Sequence, residues 1–205
     1  MIQMPPQLYT SLIAQAATQR VLVAIAGPPG AGKSTVSEAW CNQLNQDDPG
    51  CCAVVPMDGF HLDNETLDAM GLRSRKGAPE TFDANGFIAL LKQIKSADRP
   101  VRYPTFDRNL DASIPDSGEL SGDTRIVLVE GNYLLLDSAP WNQMDYQSSI
   151  LINPGMDELK RRLVQRWLDQ GMSHAQALEK AEGNDLPNAR TVLNHSRTAH
   201  WVFEG

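Results

Sequence analysis

The run Gly27-Pro-Pro-Gly-Ala-Gly-Lys33-Ser34 constrains this chain more than any other segment, because of what flanks it. Before it lies Val21-Leu-Val-Ala-Ile-Ala26, a continuous apolar stretch of strand length. After it Val36, Trp40 and Leu44 recur at helical spacing until Asp47-Asp-Pro-Gly50 ends the pattern. An uninterrupted apolar strand belongs in the middle of a parallel sheet covered on both faces. Strand, glycine-rich turn of the form GxxxxGK[ST] and helix, in that order, make a cradle for phosphate: the glycines let the backbone curl, its N–H groups turn inward, and the helix N-terminus adds positive partial charge. The segment therefore predicts both an α/β fold and a triphosphate guest.

The rest of the chain continues the alternation. Leu8, Leu12, Ile13 and Ala16, after Pro5 and Pro6, predict a short amphipathic helix. Cys52 to Met57 reads as a second strand and Phe82 to Lys95 as a helix with Phe87, Leu90, Leu91 and Ile94 inward. Arg125 to Val129, Ser149 to Ile152 and His200 to Phe203 read as three further strands. Between the last two fall helices over Asp157 to Gln170 and Ser173 to Glu182, joined at Gly171. Arg99 to Asp123, rich in Pro, Gly and Asp, predicts a short strand near Val101 to Tyr103 and a hairpin or other excursion. Strands separated by helices place ligands at the carboxyl ends of the strands.

Composition excludes several classes. With 205 residues the chain suits one domain, 1–205, with about 99–123 as an excursion on the acceptor side and about 155–188 as a helical lid. Against 25 Asp plus Glu stand 18 Lys plus Arg, and a formal charge of -7 offers no whole-chain attraction for nucleic acid. Cys41, Cys51 and Cys52 have no metal or redox spacing, which suits a reducing cytoplasm, and neither a signal segment nor a membrane span is expected. No guanine-reading Asn-Lys-x-Asp or Thr-Lys-x-Asp segment occurs, which weighs against a switch GTPase and towards a small-molecule kinase.

Within the cradle, Gly27, Pro28, Pro29, Gly30, Ala31 and Gly32 would wrap ATP, Lys33 would bridge the β- and γ-phosphates, Ser34 would take one place on Mg2+, and Thr35 would sit near the α-phosphate. A kinase also needs a carboxylate at the acceptor hydroxyl. Asp58 follows the second strand, and Gly59 beside it lets the backbone turn. Ile126-Val-Leu-Val129-Glu130-Gly131 is an apolar strand ending in an acid, the arrangement in which a carboxylate holds magnesium directly or through water. Asn132 and Tyr133 are expected on the same wall. Arg162 and Arg166, four apart on a predicted helix with Leu159, Leu163 and Trp167 opposite, would close over the migrating phosphoryl group as catalytic cations.

Taken together these segments resemble the uridine kinase, phosphoribulokinase and bacterial pantothenate kinase group of P-loop kinases. The likeness runs through Gly27 to Thr35, Asp58-Gly-Phe-His61, Lys76-Gly-Ala-Pro79, Thr81-Phe-Asp83, Tyr103-Pro-Thr-Phe106-Asp107-Arg108, Val129-Glu-Gly-Asn132 and the Arg162/Arg166 pair. Gly183-Asn-Asp-Leu-Pro-Asn188 is shared with the branch described as fructose transport system kinases. The resemblance implies a three-layer P-loop sandwich with sheet order 2-3-1-4-5, helices on both faces and a helical lid. It implies Asp58 as catalytic base, Ser34 and Glu130 at the metal, and Asp58, His61, Lys76, Tyr103, Phe106, Asp107, Arg108 and Glu130 around the acceptor. Many relatives form dimers. Asp-Gly-Phe stands where uridine kinases have Asp-Ser-Phe-Tyr, a form nearer the pantothenate kinases.

The expected activity is transfer of the γ-phosphate of ATP to a hydroxyl of a small molecule, first a sugar such as fructose. A nucleoside or pantothenate-like alcohol, or a nucleotide-binding regulator of transport, remain alternatives. For Gly183 to Asn188, capping of the lid helix and contact with adenine both stay open.

Overall fold

The computed structural model describes residues 2–204. Its helices are α1 (Pro6–Ala16), α2 (Lys33–Asp47), α3 (Asn64–Ala69), α4 (Ala84–Ser96), α5 (Met156–Asp169), α6 (His174–Lys180) and α7 (Leu186–His195). Its strands are β1 (Val21–Ala26), β2 (Cys52–Pro56), β3 (Val101–Asp107), β4 (Ala112–Leu120), β5 (Ile126–Gly131), β6 (Ser148–Ile152) and β7 (Trp201–Phe203).

Five strands pair in the order β2-β5-β1-β6-β7, and every pair in that sheet is parallel. Numbered along the sheet's own strands this is the expected order 2-3-1-4-5. β1 is buried throughout and divides its side chains by strand periodicity between two cores. Leu22, Ala24 and Ala26 face α4 and the β3–β4 ribbon, while Val21, Val23 and Ile25 face α1, α2 and α5. Helices thus cover both faces, as the unbroken apolar run requires.

Local differences from the sequence reading have physical causes. Leu8, Leu12 and Ala16 of α1 are buried but Ile13 is exposed, one step round the helix from the buried stripe. The helix expected from Phe82 begins at Ala84, because the Asp83 carboxylate accepts the Gly86 amide hydrogen at 2.9 Å and caps it. The excursion is a two-stranded antiparallel ribbon, β3 with β4, separate from the main sheet. After α6 comes a helix absent from the sequence reading, α7, reached through a wide π-helical turn over Ala181–Asp185. Pro187 stands just beyond that turn and has no N–H to offer the carbonyl four residues back, so a regular helix cannot run through.

Arg20, at the start of β1, closes the end of the sheet away from the glycine-rich turn. Its guanidinium donates to the carbonyls of Thr124, Ile94, Ala97 and Gly122 at 2.5–2.7 Å. These carbonyls lie on the two chain segments that lead into and out of the β3–β4 ribbon.

Candidate active site

Register sets the site. Pro56 of β2 and Ile25 of β1 both stand level with Glu130 of β5, and Ala26 stands level with Gly131. The three strands therefore end together, and their carboxyl ends deliver three groups to one edge: the turn 27–32 after β1, Asp58 after β2, and Glu130 with Asn132 at the end of β5.

Gly32 takes the N-cap position of α2 with φ 90°, a left-handed conformation that costs glycine little and other residues more. It turns the chain so that Lys33 opens the helix pointing back over the loop. Lys33 is buried, and its ammonium donates to the Pro28 carbonyl at 3.0 Å and to Asn132 Oδ1 at 2.6 Å. Burial pushes its pKa down, against the pull of the Glu130 and Asp58 carboxylates. A desolvated cation whose partners are two neutral oxygens is a fit for phosphate.

The Ser34 hydroxyl donates to Glu130 Oε2 at 3.2 Å. Burial pushes the Glu130 carboxyl up, and Lys33 beside it pulls the other way. Hydroxyl and carboxylate supply the hard oxygen donors magnesium takes. Among the described residues no group of three or more His, Cys, Asp or Glu converges on one point.

Asp58 lies in a 3₁₀ turn over Met57–Phe60. Gly59 is required there by close approach: a Cβ would stand inside the contact distance of the Pro104 carbonyl on the ribbon. Arg108 reaches across to Asp58 with 3.8 Å between charged atoms, both side chains solvent-facing. His61 Nδ1 lies 2.7 Å from the Asp58 carbonyl oxygen. That oxygen can only accept, so Nδ1 carries the proton and Nε2 is the free acceptor. The ring packs against Phe82 and Phe106 at 4.1 and 4.6 Å, and its burial lowers the pKa and keeps it neutral.

Asp58, His61, Lys76, Phe106, Arg108, Asn132 and Arg166 line one cleft of about 300 Å³ whose far wall includes Pro29 of the glycine-rich turn. Three residues of the expected acceptor set are not in that lining: Glu130, whose carboxylate accepts from Ser34, and Tyr103 and Asp107. Tyr103 is buried under the ribbon, its ring against Gly118 and its hydroxyl 3.3 Å from the Val54 carbonyl. Asp107 accepts the amide hydrogens of Asn109 and Leu110 at 2.8 and 3.1 Å and so shapes the turn between β3 and β4. Lys76 lines the cleft, but its ammonium is spent on Asp111 and Asn64, each at 2.8 Å, and lies over the Phe106 ring.

The two arginines also differ from expectation. Arg162 pairs with Glu158 at 2.6 Å and donates to the Ala31 carbonyl of the glycine-rich turn at 3.2 Å. Arg166 does not face away from Trp167 but stacks on it at 4.7 Å. It also meets Asp185 at 3.1 Å. Asn184, Asp185 and Asn188 border the cleft. Within the segment 183–188, Gly183 to Asp185 complete the π-helical turn and Leu186 to Asn188 open α7, which together carry polar groups to the cleft. Asp185 and Asn132 are the site residues whose contacts the sequence reading missed.

The fold and this edge of it define a P-loop phosphotransferase. The chain is 37% identical over 192 residues to the uncharacterized protein YggC of Escherichia coli, covering 91% of this chain and 78% of that protein. It is 33% identical over 199 residues to a Schizosaccharomyces pombe protein provisionally named uridine kinase C227.14, covering 91% and 83%. A crystal structure from Silicibacter sp. TM1040, provisionally named a fructose transport system kinase, superposes with TM-score 0.89 at 41% identity over 98% of this chain and 100% of that one. No protein-family model matches the chain. The chain belongs to the uridine kinase-like family of P-loop kinases, and it is a small-molecule kinase.

Proposed function

We propose that the protein transfers the γ-phosphoryl group of ATP, with magnesium, to a hydroxyl of a small acceptor, first a sugar or sugar-like alcohol such as fructose. The observation that carries this is the common level at which β1, β2 and β5 end, which brings Lys33, Glu130 and Asp58 close enough together at one edge of the sheet for their charges to act on one another. The name given to the Silicibacter protein, at 41% identity, supports a sugar. So do the paired acceptors and donors of His61, Asn132 and Asp58 beside an aromatic ring, a lining suited to hydroxyl-rich ligands.

In this account Lys33 and the loop amides hold the phosphate tail, and Ser34 with Glu130 would hold the magnesium, which supplies charge neutralisation. Asp58 orients the acceptor hydroxyl and takes its proton as oxygen bonds to the γ-phosphorus and the bond to the β–γ bridging oxygen breaks, releasing ADP. Arg166, on the far wall, faces the migrating group as the α5–α7 helices close as a lid. Arg108, exposed and only loosely paired with Asp58, would meet a carboxylate or phosphate on the acceptor.

A panel of sugars, nucleosides and vitamin alcohols, read by acceptor-stimulated ADP release, identifies the acceptor. Asp58→Asn is expected to keep ATP binding and lower turnover with that acceptor by roughly 10²–10⁴-fold. Unchanged turnover removes Asp58 as the base. Slow hydrolysis that no acceptor stimulates removes the kinase assignment in favour of a nucleotide-driven regulator.

A further inference from the structure

Asp185 is a buried acid to which neither the nucleotide nor the acceptor chemistry above gives a role, and both of its carboxylate oxygens are engaged. One oxygen accepts from Trp167 Nε1 at 2.6 Å and the other from Arg166 at 3.1 Å. These partners lie on α5, while Asp185 ends the wide turn between α6 and α7. π-helical turns of this kind concentrate at functional sites, because the extra residue re-aims a side chain that regular helix would point elsewhere.

The consequence for Arg166 is geometric. Its guanidinium carbon lies over the Trp167 indole, 4.7 Å from the ring centroid, and one of its nitrogens is held by Asp185. Stacking fixes the plane of an arginine, and a carboxylate at one edge fixes its rotation within that plane. Only one of its nitrogens is taken up by Asp185. Its Nε is buried and finds no hydrogen-bond partner among the described residues, and the side chain borders the cleft opposite Asp58 and Asn132. An arginine with most donors uncommitted, but its plane and rotation set, is poised for an anion.

We infer that Asp185 is a positioning residue: acting through Arg166, and with Trp167 as the platform, it aims the guanidinium at the transferring phosphoryl group. This rests on the kinase reading of Arg166 and adds to it the group that determines whether Arg166 is in place. Asp185 itself touches no phosphate, since its carboxylate and a phosphate would repel.

The test needs no acceptor. Titrations with magnesium ADP and with magnesium ADP plus aluminium fluoride, a mimic of the group in flight, are compared for wild type, Arg166→Ala, Asp185→Asn and the double variant, with melting temperatures alongside. Arg166→Ala is expected to weaken the aluminium fluoride complex by about 10²-fold, as loss of one transition-state donor does, with ADP affinity within about twofold. Asp185→Asn should give the same selective loss, about tenfold, and no further loss when Arg166 is already alanine, the signature of action through a shared partner. If Arg166→Ala loses both ligands equally or neither, the kinase reading of Arg166 and this inference fall together. If Arg166→Ala is selective but Asp185→Asn is not, or if its loss persists undiminished in the double variant, Asp185 is a structural acid and the inference alone is overturned. Should Asp185→Asn fail to melt cooperatively, Asp185→Glu keeps the charge and displaces it by one methylene; the same selective loss supports the inference and a uniform loss overturns it.

Discussion

The two walls of the cleft are made of different material. On the donor wall Lys33 is buried, its partners are a backbone carbonyl and an amide oxygen, and its position is set by a strand with no exposed residue and the helix beyond the turn. On the acceptor wall the charged groups are exposed side chains on turns: Arg108 at the tip of the ribbon and Asp58 in the turn after β2 are 74% and 39% exposed, and Lys76 joins Asn64 of α3 to Asp111 of the ribbon turn. Grip on a triphosphate is thus entrusted to backbone and burial. On the proposed reading, recognition of the acceptor falls to exposed side chains such as Arg108 and Asp58.

This contrast predicts where substitutions act. Lys33→Met carries the largest effect: magnesium ATP affinity falls by roughly 10²-fold, within the ~2–5 kcal/mol range for removing one partner of a desolvated charge pair. The same change relieves the burial that lowers the lysine's pKa, so the apoprotein is expected to melt no lower than wild type. Calorimetric titration and a thermal melt of one sample check both halves; a large fall in melting temperature would mean that Lys33 is a structural cation.

Gly59→Ala acts between the walls. Its Cβ meets the Pro104 carbonyl, so the ribbon must move, and displacement by about 1 Å in a reacting arrangement costs up to ~10²-fold. Acceptor-dependent turnover should drop by roughly that much with ATP affinity unchanged. Equal loss of both would mean that the walls are not independent.

The smallest effect belongs to His61 and is read in pH. Burial holds its folded pKa below the ordinary 6.5, so its contribution to stability is complete above that value. It is lost as pH falls from 6.5 towards the folded value, at a slope of at most about 1.4 kcal/mol per pH unit for one proton. Urea melts between pH 7.5 and 5 should therefore show a steeper acid decline in wild type than in His61→Gln. Parallel declines would mean that the ring titrates freely.

What could be read from the residues followed the same division. The loop and the meeting of Asp58 with Glu130 follow from local patterns, a glycine spacing after an apolar run and an acid at a strand end, whereas the strand order 2-3-1-4-5 came only with the resemblance to P-loop kinases. Tyr103 shows where such reading stops. It belongs to a motif shared with acceptor-binding kinases, yet alternation along β3 turns Val101 and Tyr103 inward together, and a segment quoted as a block does not say which of its side chains face the cleft. Asp185 was harder still. Its partners lie 18 and 19 residues away on another helix, and nothing in Gly183 to Asn188 announces a π-helical turn except the proline just past it. Lys76 was legible as a cation but not as one already paired, because Asp111 and Asn64 reach it only once the ribbon has folded over α3.

Arg20 gives the acceptor wall an unexpected freedom. One guanidinium clasps Ile94 and Ala97 on the way into the ribbon and Gly122 and Thr124 on the way out, so the whole insert hangs from a stem stitched shut on the far side of the molecule from the chemistry. Beyond that stitch Val101, Tyr103 and Leu120 keep the base of the ribbon in the core, and its exposed tip, Arg108 to Asp111, is the part open to exchange. A lineage, or an engineer, in search of a different alcohol to phosphorylate could vary that tip while leaving the sheet and the nucleotide grip as they are.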